Sequence, residues 1–438
     1  MNCPAPASYT PRAPAELWRA VFLLAGASSL PQDAGYAPFQ PLRDMSETAA
    51  GLEEESQRLK TCLSLMRVCR LWRFLAAEFL YEDVRIMDSA GLESLASGLR
   101  RSAKEDELGG FGRYIRRLEL PMRQTQFTQQ SPLHLRPFAL PSLIPTSSGF
   151  RLSDLLRLCP RLEIFSRPCL RLDNEDIYFW GGLVSSPIED EGSPLLPRLR
   201  RLEWYETDLD TRFYGNKNTL RLSELITHAP ALEYLFMSSD RYDALSGLPS
   251  CPSLHTLRIN RSHYHSHHVK CLRPPDVPYV PKLTHLVLHT MLPSPLLAFL
   301  SVAGAQLRVL ELTFAPQLVF SAHQMQRLLS RCPALEELAF YVGAPEITAP
   351  ATVGFSHSAL RRVRLKLSPE EWYPYKHVLK TQFGILVGPS FPGLEEVVLH
   401  DPSRSLARRE VWPGLLRALI DRGCRVVYDD ETIVESGA

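Results

Sequence analysis

Along most of the chain, apolar residues recur in one six-residue pattern, apolar at positions one, four and six and mixed between them. It reads IRRLEL at 115–120, LRRLEW at 199–204, LEYLFM at 232–237, LHTLRI at 254–259 and LTHLVL at 283–288. It continues as LRVLEL at 307–312, LEELAF at 335–340, LRRVRL at 360–365 and LEEVVL at 394–399, with a weaker copy, LEIFSR, at 162–167. From first position to first position the steps are 47, 37, 33, 22, 29, 24, 28, 25 and 34 residues. Side chains two apart share one face of a strand, so each copy predicts a short strand with positions four and six turned into a core. A helical pattern precedes several copies: LSDLLRLCP 152–160, LSELITHAP 222–230 and MQRLLSRCP 325–333, each closed by a proline that cannot continue the helix. Neither a strand nor a helix of this size buries its apolar face alone, but stacked copies do. The pattern therefore predicts an α/β solenoid, parallel strands inside and helices outside. WPGLLRALIDRGCRVVYDD near the end predicts a last helix and a last strand over Arg425–Tyr428.

The same phase assigns the other strand face. Tyr205, Tyr234, Phe236, Arg258, Asn260, His285, His289, Tyr341, Arg364 and Lys366 are expected on the concave side of the sheet. Aromatic residues and arginine exposed together are the usual material of interface hot spots, so this set is the candidate client-binding face. The alternative is that an inserted loop or the C-terminal segment covers it.

The N-terminal region follows a helical period instead. Leu65, Val68, Cys69, Trp72, Ala76 and Phe79 lie at offsets 3, 4, 7, 11 and 14 from the first, one face of a helix, with Arg67, Arg70 and Arg73 on the other side. A shorter helix begins at Pro14, with Glu16 in its first turn; Leu17, Val21 and Leu24 share a face, and Trp18, Phe22 and Ala25 the next. Residues 26–58 between them, with SSLPQDAGYAPFQP and the acidic LEEES, are expected to form a long exposed loop. Two further Pro- and Ser-rich stretches, 124–149 and 182–197, interrupt the repeats.

Composition narrows the function classes. A formal net charge of +1 over 438 residues gives no general attraction to nucleic acid or anionic membrane. The basic run RRVRLK at 361–366 interleaves with core positions and reads as one solvated strand face. The longest apolar run, AVFLLAGA at 20–27, is too short to span a bilayer, and its flanks are not those of a secretory leader. The sequon Asn260-Arg261-Ser262 matters only in a secreted chain. The 36 prolines are dispersed as punctuation between short elements. Nine scattered cysteines form no disulfide framework and no C-x-x-C pair; Cys159, Cys251 and Cys332, each before a proline at comparable repeat positions, are expected as small core residues. No phosphate-binding loop, dinucleotide fingerprint, nucleophile elbow or zinc-protease motif is present in the sequence. Of His263, His265, His267 and His268, three would share a face on a strand and could hold a metal, but the cluster follows a hexamer directly, in a loop, and an exposed polar turn is the simpler expectation. No cofactor, metal or enzymatic activity is expected.

PAELWRAVF followed by CLSLMRVCRLWRFLA resembles the F-box. Pro14, Glu16, Leu17, Val21 and Phe22 match its first part; Leu63, Leu65, Val68, Cys69, Arg70, Trp72 and Leu75 match its second. Ala13 stands where the leading Leu belongs, and the connector is longer than usual. EFLYEDVRI is similar to the exit of fungal-type F-box proteins into a first strand, and the spacing of the hexamers resembles leucine-rich repeats. The Asn or Cys usual after the last apolar residue of such repeats is replaced by Thr207, Asp240, Ser262 and Ser368, so no regular asparagine ladder is expected. The resemblance divides the chain into a disordered stretch 1–12, an F-box-like module 13–77 with its inserted loop, and a repeat domain 78–438. It implies a substrate-recognition subunit, cytoplasmic or nuclear, that binds a Skp-type adaptor of a cullin–RING ubiquitin ligase and presents a client protein. The adaptor residues so implied are Pro14, Glu16, Leu17, Val21, Phe22, Leu63, Val68, Cys69, Trp72 and Leu75. A repeat scaffold with a degenerate F-box, acting outside the ligase, is the second reading.

Overall fold

The structure, a computed structural model, describes residues 14–26, 36–39, 49–86, 89–105, 110–120, 122–125, 152–167, 169–172, 194–206, 222–239, 248–260, 279–289, 293–313, 322–341, 355–366, 383–401 and 412–434. The chain divides into two compact units. The first is Met1–Asp33, Leu42–Pro145 and Asp154–Trp180; the second is Ala34–Pro41, Thr146–Ser153 and Gly181–Ala438.

The first unit opens with three helices, α1 (Ala15–Gly26), α2 (Ala49–Leu65) and α3 (Arg70–Glu82). Phe22, Cys62, Leu75, Ala76 and Phe79 form their common core, flanked by the half-buried Trp18, Leu65, Met66, Trp72 and Leu80. Two expectations are corrected here. The run from Leu65 to Phe79 is not one helix: α2 stops at Leu65, a turn spans 66–68, and α3 restarts with Cys69 as its cap, the Sγ accepting from Trp72 N at 3.4 Å. Nor are residues 26–58 all loop, because α2 starts at Ala49. Glu, Leu, Gln and Lys in GLEEESQRLK are strong helix formers. Buried Arg58 then ties α2 to the end of α3, donating to Phe79 O and Asp83 O, each at 3.3 Å.

From α3 the chain enters β1 (Asp83–Arg85), α4 (Ser89–Glu105), a 3₁₀ turn Phe111–Tyr114 and β2 (Arg117–Glu119). Then follow β3 (Met122–Thr125), α5 (Leu152–Arg157), β4 (Ile164–Arg167) and β5 (Cys169–Leu172). β2 pairs in parallel with β1 and with β4, and β3 with β5. Gln124 and Thr125, expected in a loop, thus belong to a strand.

The second unit carries β6 (Arg201–Glu206), α6 (Leu222–Thr227), β7 (Tyr234–Ser239), β8 (Thr256–Asn260), β9 (His285–Leu288), α7 (Pro293–Ala303) and β10 (Val309–Leu312). It continues with α8 (Ala322–Ser330), β11 (Glu337–Tyr341), β12 (Arg362–Lys366), β13 (Glu396–His400), α9 (Trp412–Asp421) and β14 (Arg425–Tyr428). β6 to β14 pair in parallel, each with the next in sequence, the order of a solenoid-like stack. Every hexamer holds its strand, starting at position three. Position four forms one buried column across the strands, Leu202, Leu235, Leu257, Leu286, Leu310, Leu338, Val363 and Val397.

A second column lies three residues before each hexamer, at the turn that starts the strand. The N–H of Leu232 donates to Ala229 O, that of Leu254 to Cys251 O and that of Leu335 to Cys332 O. Where the geometry permits, the same residue bonds across copies: Leu196 N to His228 O and Cys251 N to Tyr279 O, each at 3.0 Å, and His357 N to Ser390 O at 2.8 Å. This main-chain ladder hydrogen-bonds neighbouring repeats to one another. Cys159, Cys251 and Cys332 occupy this turn and are buried, as expected. Burial pushes the thiols of Cys159 and Cys332 up to about 12 and that of Cys251 up to about 11, so they pack as apolar groups.

Residues 207, 240, 262 and 368 and the four histidines at 263–268 lie outside the described residues, as do 1–12 and most of 124–149 and 182–197. Among the described residues no helix is long and apolar enough to cross a membrane.

Candidate functional site

Each unit holds one candidate. In the three-helix module, Pro14, Glu16, Leu17, Val21, Leu63, Val68 and Cys69 are exposed, with Leu17 at 58% and Val68 at 60%. Phe22 and Leu75 are buried in the module's core. Trp72 is half-buried, its ring 4.6 Å from Trp18 and 5.2 Å, edge-on, from Phe22. These three therefore hold the helices together, while the others face outward, Leu17, Val21, Leu63 and Val68 as an apolar surface. Leu24, Leu71 and Phe74, not singled out by the motif, are exposed beside them. Among the described residues, seven of the eleven exposed large apolar side chains belong to this module, six on its helices and Val68 in the turn between α2 and α3, a concentration that single scattered residues do not explain.

In the second unit, the register places all ten candidate client residues on the face opposite the leucine column. Position five runs Glu203, Phe236, Arg258, Val287, Glu311, Ala339, Arg364 and Val398 across β6 to β13. Tyr205 stands in register with Ser238 and Asn260. The phase is as expected, but exposure is not. Tyr234, Phe236 and Arg258 are buried, and His285, Asn260, His289, Tyr341, Arg364 and Lys366 are half-buried. Arg258 Nε donates to His289 Nε2 at 2.7 Å and its guanidinium lies over the Phe236 ring. Because arginine only donates, neutral His289 carries its proton on Nδ1 and donates to Thr313 Oγ1 at 2.5 Å. The three arginines of the basic run 361–366 are ion-paired: Arg361 with Glu395, Arg362 with Glu396 and Glu337, and Arg364 with Glu337.

Part of this face is covered by the chain's own N-terminal insertion. Tyr36–Phe39 lies on it, a residue stretch expected to be free loop. Glu311, 1% exposed, accepts from Tyr36 Oη at 2.8 Å and from Phe39 N at 2.9 Å. The Tyr36 ring meets His285, with centroids 5.0 Å apart. Phe39, 4% exposed, stands edge-on to His400 at 4.7 Å and to Tyr341 at 5.6 Å, with Lys366 Nζ 5.7 Å from its centre. Phe39 holds φ 52, a left-handed conformation that costs a non-glycine residue about 1 kcal/mol, maintained by these contacts. Two signals in the sequence pointed to this arrangement: an aromatic pair three apart in an otherwise polar insertion, and an acid at position five of LRVLEL.

Burial sets the protonation of the site. It lowers the titration of His285 and His400 and drives His289, which also faces Arg258 and Lys366, well below the ordinary histidine value of 6.5. It raises that of Glu311, against the two hydrogen bonds and the Arg258 and Lys366 charges. Depressed histidines contribute stability that is complete above 6.5 and is lost as pH falls from there toward the folded values. Glu311 has the opposite sign: its contribution is complete below the ordinary carboxylate value and lost as pH rises through its raised one. Three histidines against one carboxylate give a net loss on acidification, up to about 1.4 kcal/mol per pH unit for each proton taken up. The urea midpoint of the second unit is expected to be lower at pH 5.5 than at pH 7.5. Equal midpoints would contradict the histidine burial.

Among the described residues no group of three or more His, Cys, Asp or Glu is placed to hold a metal. No family model matches the sequence, and no curated protein matches it either.

Proposed function

We propose that this chain is an F-box substrate-recognition subunit. Its three-helix module docks on a Skp-type adaptor of a cullin–RING ubiquitin ligase. Its repeat unit, of leucine-rich type, presents a protein client through the face opposite the leucine column. The chain performs no chemistry itself and raises the effective concentration of the client near the ligase. The resemblance of Pro14–Phe22 and Leu63–Leu75 to the F-box motif supports this reading. One observation carries it: the module buries its own core yet leaves Leu17, Val21, Leu63 and Val68 exposed. A solvent-facing helical face is ordinarily polar, so these side chains suit a partner's apolar surface.

The test uses purified adaptor and full-length chain. Leu17→Asp with Val68→Asp changes two exposed positions and leaves the packed core untouched. Burying either introduced carboxylate at an interface costs on the order of 2 kcal/mol, so binding is expected to weaken at least about 30-fold with an unchanged circular dichroism spectrum. Full adaptor binding by the folded double variant would remove this reading. A wild-type chain that binds no adaptor would leave the scaffold reading, in which the module has another partner.

A further inference from the structure

The Tyr36–Phe39 contact has the form of a ligand in a site, not of a loop lying on a surface. Its polar anchor, Glu311, is almost fully buried and accepts two hydrogen bonds from this segment, 272 and 275 residues away in sequence. One donor is a main-chain N–H, which any peptide offers; the other is a phenol, which only tyrosine offers. Between the two aromatic anchors Ala37 faces solvent and is not read, and Pro38 sits in the turn that brings Phe39 N to the carboxylate. Phe39 is received by Tyr341, His400 and Lys366, three side chains from three successive strands of the sheet. Two anchors within a four-residue segment thus make the contact, the size of a linear motif. The left-handed φ of Phe39 is a cost that any L-residue in that slot bears, and it limits how tightly the segment is held.

We propose that the Glu311 site is a peptide-binding site occupied in cis by Tyr36–Phe39, and that the ligand it takes in trans is a short peptide presenting tyrosine, a free position, proline and a second aromatic. This deepens the client-binding reading given above, on which it rests, by naming the chemistry of the client. The tethered segment then acts as a competitor: a client must displace it, because both need the same carboxylate and the same aromatic slot.

The probe is a fluorescein-labelled peptide of residues 33–42, DAGYAPFQPL, followed by anisotropy against full-length chain. Tyr36→Ala with Phe39→Ala vacates the site. The vacated chain is expected to bind the peptide at least tenfold more tightly than wild type. Phe in place of the peptide's tyrosine weakens binding several-fold, and Glu311→Ala in the vacated chain abolishes it. A folded, vacated chain that ignores the peptide, or binds a scrambled one equally, overturns the proposal. Should the double variant aggregate, specific protease sites in place of residues 29–32 and 43–46 release the native segment by cleavage. Exchange of the cut segment for labelled peptide supports the proposal, and retention through dilution and excess peptide overturns it, making the segment a permanent part of the fold. The two readings fail separately. Peptide binding without any effect of Glu311→Ala on affinity-captured proteins removes the client role and leaves the site. Capture that persists without peptide binding removes the site alone.

Discussion

Replacing Gly304 by alanine is expected to lower the unfolding free energy by about 3 kcal/mol. Gly304 stands three residues before Leu307, in the turn column that joins one repeat to the next. A Cβ there would lie 2.3 Å from Arg331 O and 3.1 Å from the same carbonyl carbon. The obstacle is main chain, so no rotamer relieves it; β10 and β11, paired in register from Val309 and Glu337 to Leu312 and Phe340, would have to part. Gly112 stands at the equivalent place before Ile115, and a Cβ there would lie 1.8 Å from Leu158 O. In both cases the crowding carbonyl belongs to the residue just before the next copy's turn cysteine, Cys332 or Cys159. The glycine is therefore set by the distance of closest approach between neighbouring copies. Gly414 in α9 is the internal control. A Cβ there meets nothing within 4 Å, and alanine's helix propensity favours it by about 1 kcal/mol. Urea titrations should move the two midpoints in opposite directions. A Gly304→Ala chain as stable as wild type would show that the copies can separate without cost.

How much of this was legible follows from the range of each interaction. The strands were readable because period-two burial is a local signal: a strand starts at the third position of every hexamer, and the column from Leu202 to Val397 is the fourth position throughout. The face assigned to Arg258, Tyr341 and Lys366 was readable for the same reason. Whether that face is open was not, because phase fixes a direction and says nothing of what lies above it. Tyr36 and Phe39 reach Glu311 only because the second unit folds: the aromatic pair and the position-five acid each stand out locally, but nothing local joins them across more than two hundred residues. The start of α2 was hidden by a charged run, Glu53–Glu55, that reads as solvated loop although its members are helix formers. Its anchor, Arg58, bonds to main-chain carbonyls, which every residue carries, so no pairing pattern marks it. The break at 66–68 was masked because Leu65, Val68, Trp72 and Phe79 keep helical spacing across it by coincidence.

Trp72→Ala separates the fold of the module from its docking surface. The sequence motif places Trp72 with the adaptor residues, whereas its ring packs inward, tilted against Trp18 and edge-on to Phe22, beside Leu75, Ala76 and Phe79. Truncating a packed tryptophan costs about 3 kcal/mol or more. A three-helix core this small has little in reserve, so α1, α2 and α3 are expected to lose protection together while the second unit keeps its own. Hydrogen exchange read by mass spectrometry should show fast exchange over residues 15–82 and unchanged exchange over 201–428. Adaptor binding is then lost through loss of the helices, unlike Leu17→Asp with Val68→Asp, where binding fails on an intact module. Trp72→Phe, which retains an aromatic against Trp18, should recover much of the protection. If Trp72→Ala instead keeps full protection over the three helices and still loses the adaptor, the indole itself lies in the contact, and the inward packing with Trp18 and Phe22 is incidental to its role.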